Sequence, residues 1–349
     1  MFYKKFLIVF FTVLTLGFGS VLFINFMYDP ANIYNDGLVS KAVGIMLKGE
    51  YVLGLSNYNE RQLKKTFIVK DIKEINTVVF GSSRSMSITS NDDSLRNYSV
   101  SGAVLEDILG LWSVCDDTKN YKNVIIGVDA WLFNKNSGEK RWKTLNKDYA
   151  NALMKVNINN SNGNSIDMDK YWQLLSLDYL KASIKVLRNK DKGSNLEGVT
   201  NLNLDKMLLL KDGSIYYGRS KNEVSVTEVN IEVKKYLKGG IYHLEGFDKL
   251  DENRIVIFKK FLEGLINDKK RVVLLLTPYH PVVYEYLASN DRYKMVLETE
   301  KIIRALATVD NISIMGSFDP NKCGLNESDF LDGMHLKNSS VDSFVNTKI

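Results

Sequence analysis

Ile75-Asn76-Thr77-Val78-Val79-Phe80-Gly81-Ser82-Ser83-Arg84-Ser85 is the stretch that decides the fold. Its first half is apolar and β-branched with no polar alternation at the core, and Gly81-Ser82-Ser83 stops it. Such a run suits a parallel strand covered on both faces. Three more runs follow the same plan. Val124–Gly127 ends in Val128-Asp129-Ala130-Trp131, Arg271–Leu276 ends in Thr277-Pro278-Tyr279-His280-Pro281, and Ile312–Met315 is the last. Helical stretches lie between them, including 249–266, with Leu250, Ile255, Phe258, Phe261, Leu262 and Ile266 along one side, and 291–307. Strands alternating with helices predict an α/β fold with a doubly wound parallel sheet. Ligands of such sheets bind outside the carboxyl ends of the strands, so chemistry is expected in the polar loops that end these runs.

Working outward toward the N-terminus, residues 6–28 read FLIVFFTVLTLGFGSVLFINFMY without a charge. About 20 helical residues cross a hydrocarbon core of ~30 Å. Lys4 and Lys5 precede the run and Asp29-Pro30 stops it. The basic flank predicts a cytoplasmic N-terminus, a single pass through the bilayer and an extracytoplasmic remainder. The run is longer than a signal-peptide core and no Ala-x-Ala site follows, which favours an anchor over a cleaved signal. Residues 29–74 read as a polar, partly helical stalk, and 75–349 as the α/β domain. Within that domain, 135–245 breaks the strand–helix rhythm and reads as a large insertion that caps the site or binds substrate. It holds one helical segment near 169–188 and a hairpin signal over Met207–Tyr217 with Asp212-Gly213 at the turn.

Hydrophobic residues make up 45% of the 349-residue chain and charged residues 25%, which suits a globular protein with a sizeable core. The net charge of +5 is scattered, with no basic block, so no nucleic-acid partner is expected. Cys115 and Cys323 are the two cysteines, and either one disulfide or two thiols fits them. With three histidines and no Cys-x-x-Cys or His-x-x-x-His spacing, neither a metal nor another cofactor is called for.

Ser83 closes a strand-like run, where its hydroxyl would stand at the mouth of the sheet beside backbone amides able to cradle an anion. A turn serine capping a helix that opens at Arg84-Ser85-Met86 explains the same residues. Near the C-terminus, Asp329-Phe330-Leu331-Asp332-Gly333-Met334-His335 puts a carboxylate three residues before an imidazole. The carboxylate can hold one ring nitrogen and leave the other to take a proton from Ser83. Taken alone, each motif is a common loop; together they supply the three groups of a nucleophilic acyl-transfer site.

This order resembles the SGNH/GDSL hydrolase superfamily, whose blocks can be followed from about 75 to 340. Gly81-Ser82-Ser83 looks like its first block, with Ser83 on the nucleophile position. Tyr98-Ser99-Val100-Ser101-Gly102-Ala103 looks like the second, which implies that the Gly102 amide donates to the oxyanion. Asp332 and His335 look like the last block. The resemblance implies a three-layer α/β/α domain. The third block departs: the family has Gly-x-Asn, and here Gly127-Val128-Asp129 stands in its place. An ionised Asp129 would repel a developing oxyanion. Either Asp129 is paired, with Arg84 as a neighbour, or another donor such as Asn134 replaces it, or activity is weak.

The N-terminal anchor and Tyr28-Asp29-Pro30 are similar to a branch that handles envelope polymers, including alginate-type O-acetylation and teichoic-acid D-alanylation proteins. The expectation is therefore a membrane-anchored serine esterase or O-acyltransferase acting on cell-envelope or exported polysaccharide. Its partners would be the bilayer through residues 6–28, a glycan, and a membrane acyl-donor protein. Arg84 is a candidate contact for an anionic substrate group or a local ion-pair partner. Trp131 is a candidate sugar-stacking ring or a core aromatic, and His280 lines the cleft or is structural. Two other readings remain: a non-catalytic assembly or binding factor for envelope-polymer export or modification that keeps the fold, and a tethered α/β domain in which the motifs are coincidental.

Overall fold

The structure is a computed structural model that describes residues 2–30, 34, 37–90, 93–158, 171–188, 196–308 and 311–345. It contains a five-stranded parallel sheet made of β2 (Thr77–Phe80), β3 (Leu95–Asn97), β4 (Asn123–Gly127), β8 (Arg271–Leu276) and β9 (Ile312–Gly316). The strands lie in the order β3-β2-β4-β8-β9, and every neighbouring pair is parallel. Strand order reverses between β2 and β4, which leaves a crevice at their carboxyl ends. The four apolar runs read from sequence are four of these strands.

Alternation along the strands sends side chains to opposite faces. Val78, Phe80, Val124, Ile126, Leu274 and Leu276 join the main core, with residues of α3 (Glu60–Lys70), α4 (Leu105–Thr118), α9 (Glu252–Asn267), α10 (Pro281–Ser289) and α11 (Lys294–Leu306). Val79, Ile125, Leu275 and Met315 face the other way, onto Phe330, Leu336 and the C-terminal helix α12 (Asn338–Val345). Both faces of β2, β4 and β8 are therefore buried, which is why those runs carry no polar alternation, whereas β9 at the sheet edge leaves Ser313 exposed. The predicted helices 249–266 and 291–307 correspond to α9 and α11.

A second, antiparallel sheet has the order β5-β1-β6-β7, from β1 (Tyr51–Leu53), β5 (Glu197–Val199), β6 (Leu208–Leu209) and β7 (Ile215–Tyr216). β6 and β7 form the hairpin expected around Asp212-Gly213, with Leu208 opposite Tyr216. β1 and α2 (Gly37–Leu47) correct the stalk reading of 29–74. Val39, Ala42, Val43, Met46, Val52, Leu63 and Phe67 all enter the main core. Lys64 of α3 is fully buried, and its ammonium donates to the carbonyls of Asn97 (2.9 Å) and Gly213. Burial lowers its pKa to about 8 against the opposing pull of Glu60 and Asp212.

At the N-terminus, α1 (Phe2–Tyr28) is long and apolar enough to cross a membrane. Its last turns are packed by α6 (Leu177–Arg188), part of the segment expected to be helical. Within 135–245, residues 159–170 and 189–195 lie outside the described residues. Cys115 and Cys323 are not joined to each other by a disulfide.

Candidate active site

Ser83 stands in the loop that leaves β2, at the reversal of strand order. Gly81 makes the approach possible: a Cβ there would lie 2.4 Å from the Ser85 hydroxyl and 3.0 Å from the Gly127 backbone at the end of β4. Residues after Ser83 form turns and not the expected helix, so the serine is not an N-cap. Ser82 is buried, and its hydroxyl accepts from the Arg84 amide at 3.2 Å.

The tail arrives opposite. Phe330 and Leu336 pair as an antiparallel bridge, Leu331 N–H donates to His335 O at 2.8 Å, and Lys337 N–H donates to Asp329 O at 2.8 Å. This small closed loop presents Asp332 and His335. Asp332 accepts from the amides of Met334 (2.8 Å) and His335 (2.9 Å), and its oxygens lie 2.9 and 3.0 Å from His335 Nδ1. His335 Nε2 lies 2.9 Å from Ser83 Oγ. With the carboxylate on Nδ1, the proton belongs there and Nε2 is left to accept from the serine. Burial pushes the Asp332 carboxyl up, but the His335 ring and the two amides outweigh it and hold the group below its ordinary value.

Gly102 closes the other side of the crevice, in the left-handed region at φ 58°. An added Cβ would lie 2.3 Å from the Tyr242 hydroxyl and 2.5 Å from Arg141 Nη2, so a side chain here would push both aside and strain the backbone as well. Its neighbour Ser101 is fastened to Glu60 of α3, by the amide at 2.6 Å and by the hydroxyl at 2.9 Å. Neither the Ser83 nor the Gly102 amide donates to an acceptor among the described residues. Ser83, Ser101, Gly102, Tyr242, Met334 and His335 line one groove of about 580 Å³, and α8 (Val226–Gly239) adds Glu232, Lys235 and Tyr236. A larger cavity of about 750 Å³ lies at the amino ends of β2 and β4, lined by Asp71, Lys73, Asn76 and Lys122. Parallel sheets collect ligands at the opposite end, and Asp71 is committed to Arg96 at 2.6 Å, so the groove over Ser83 is the candidate site.

Arg84 is 2% exposed and turns beneath the loop instead of into the groove. Its Nη1 pairs with Asp129 at 3.1 Å, Nε donates to Met334 O at 3.1 Å, Nη2 donates to Thr277 O, and the guanidinium lies 3.9 Å over the Tyr279 ring. The expected substrate contact is thus corrected to a junction of four chain segments. The same pairing answers the question raised by Asp129: burial raises its pKa, Arg84 and the Ser82 hydroxyl oppose the rise, and the carboxyl lies away from the groove lining. Asn134 is not the replacement donor, because its amide donates to His243 O at 3.1 Å and its oxygen accepts from the Asn136 amide.

Trp131 is fully buried, with its indole N–H on Ala103 O at 3.0 Å, so it stacks on no ligand. His280 is likewise fully buried. Its Nδ1 accepts from the Val282 amide at 3.3 Å, capping α10, and its own amide donates to Gly333 O at 3.1 Å, which steadies the tail. Burial holds its pKa low.

Sequence patterns gave no sign of Tyr242, Arg141, Tyr236, Glu60 or Tyr217. The Tyr217 hydroxyl donates to Ser83 O at 3.2 Å and its ring flanks His335. Tyr242 packs edge-on against Trp131 and His243. Its oxygen accepts from Arg141 Nη2 at 3.0 Å, and Glu139 holds that guanidinium in turn. The one available signal was the placing of 135–245 over the site, since all of these except Glu60 belong to that insertion. No family model matches the chain, and no curated protein sequence matches it.

Proposed function

We propose that the protein is a membrane-anchored serine acyl-transfer enzyme of SGNH type, an esterase or O-acyltransferase for a cell-envelope or exported polysaccharide. The observation that carries the reading is the 2.9 Å approach of Ser83 Oγ to a His335 ring whose other nitrogen is held by Asp332. Ser83 Oγ attacks the ester carbonyl carbon and its proton passes to His335 Nε2. The Ser83 and Gly102 amides stabilise the oxyanion. His335 then protonates the departing alkoxide, leaving an acyl-serine. Water or a sugar hydroxyl, deprotonated by His335, attacks that ester and frees Ser83. Asp129 sits in an internal ion pair and does not oppose the oxyanion, which weakens the non-catalytic alternative.

The extracytoplasmic placement of the groove rests on Lys4 and Lys5 before the anchor. Support for a glycan comes from an open groove flanked by Tyr236 and Tyr242, whose rings suit sugar faces. Two measurements test the reading. A fluorophosphonate should label the native protein at Ser83, and ester content of the envelope polysaccharide should change when Ser83 is Ala.

Tyr242 takes the role of the missing third donor. Its oxygen is occupied by Arg141, so its own proton is available beside Gly102, and the guanidinium strengthens it as a donor. Tyr242→Phe should lower kcat for a chromogenic acetyl ester by about 10²-fold with little change in KM, the signature of a contact made only in the transition state. An unchanged kcat would remove Tyr242 from the oxyanion site.

A further inference from the structure

The exit of α1 is clamped by a distant part of the chain. Asn25 falls inside the apolar run and is fully buried. Its Nδ2 donates to Leu174 O (2.8 Å) and Ser176 O (3.3 Å), and its Oδ1 accepts from Ser183 Oγ (3.0 Å). Asp29 accepts from the Tyr179 hydroxyl at 2.6 Å. Val21, Ile24 and Tyr28 lie on the same face of α1 and are half-buried there. Asn25 is four residues before Asp29, about 6 Å along the helix axis, so its partners sit at the level of the last apolar turns. A bare amide at that depth in lipid would be costly, and the docked segment satisfies it.

What this segment leaves outward is of two kinds. Tyr171, Trp172 and Leu177 are 53%, 64% and 66% exposed. Lys181, Lys185 and Arg188 are also exposed, against one acidic residue of α6, Asp178. Tyrosine and tryptophan favour the headgroup level of a bilayer, and basic residues beside them favour anionic lipid.

We propose that residues 171–188 lie in the headgroup layer as an interfacial platform whose partner is an anionic phospholipid surface. The proposal goes beyond acyl transfer and rests on α1 sitting in a bilayer. It does not depend on the chemistry at Ser83.

The full chain is reconstituted in phosphatidylcholine–phosphatidylglycerol vesicles carrying lipids brominated either near the headgroup or deep in the acyl chain. Of the four tryptophans, Trp112 and Trp131 are buried in the folded body and Trp142 is half-buried against Tyr149. Trp172, at 64% exposed, is therefore the one placed to meet lipid, and the Trp172→Phe difference isolates it. Native fluorescence should be quenched more by shallow than by deep bromine, and Trp172→Phe should reduce that quenching at least about twofold. Vesicle flotation is measured on the same samples. Quenching unaltered by Trp172→Phe in protein that floats overturns the platform. Absent quenching with a doubled mass in detergent overturns it in favour of a second copy on this face. Failure to float overturns it at its premise, whatever Ser83 does.

Discussion

Replacing Ser83 by Ala should abolish fluorophosphonate labelling and cut the rate on an acetyl ester by at least about 10³-fold, with the unfolding midpoint nearly unmoved. The large effect follows from the role: without Oγ no acyl-serine forms, and His335 has nothing to deprotonate except water. The small stability effect follows from the surroundings. Ser83 Oγ has His335 Nε2 as its partner, while the Asp332 contacts and the Arg84 junction that hold the loops do not use it. A surface-near deletion of this kind typically changes stability by no more than about 0.5 kcal/mol. His335→Ala should fall as far as Ser83→Ala, and the double variant no further, because the groups act as one unit. Persistent labelling in Ser83→Ala, or a double variant that multiplies the two losses, would refute the assignment.

Arg84→Met should be the most damaging single change outside the groove, destabilising the protein by about 3–5 kcal/mol. It strands the Asp129 carboxylate in the interior and frees the carbonyls of Met334 and Thr277. Activity should drop alongside, since Met334 precedes His335 and its carbonyl is the tether.

The loss should depend on pH in a defined direction. Burial already raises the Asp129 pKa, and removing the guanidinium raises it further. A carboxyl that holds its proton more tightly when folded than when unfolded loses stability as pH rises above the unfolded value, about 3.9. The deficit of Arg84→Met should therefore be small in acid and grow toward neutrality. Arg84→Met combined with Asp129→Leu should recover much of the stability, because no unpaired charge remains, but not the activity. Denaturant titrations across pH decide this. A deficit below about 1 kcal/mol at pH 7 would show that the pair is not the junction described here.

The legible part of this protein was its parallel sheet. Strands buried on both faces are apolar along nearly their whole length, and β2, β4 and β8 announce themselves that way, while β9, at the sheet edge, is read from its apolar residues despite an exposed Ser313. β3 does not: Leu95-Arg96-Asn97 is held by Arg96 on Asp71 and by the Asn97 amide on the carbonyls of Ser85 and Ile88, contacts that carry no period. The antiparallel sheet was hidden because β1 pairs with strands some 150 residues away, and each of its strands has only two or three residues.

Ser83, Asp332 and His335 were readable because two short motifs sit at chain positions that a parallel sheet brings to one rim. Direction was not readable. Nothing in the order of residues tells that Arg84 turns under its loop while Ser83 faces out, or that Trp131 and His280 point inward. Packing decides those, and packing also places Tyr242 beside Gly102.

Glu60 reaching across to Ser101 has a practical outcome for anyone trimming the chain to a freely diffusing form. Cutting ahead of residue 75 would remove the brace under Gly102 along with α2, β1 and α3. A cut between Asp29 and Gly37 would keep them. That shorter polypeptide would still carry the face around Tyr179 and Ser183 that α1 and its exit had covered, so polar replacements of the apolar residues on that face belong in the same design to keep it from clumping.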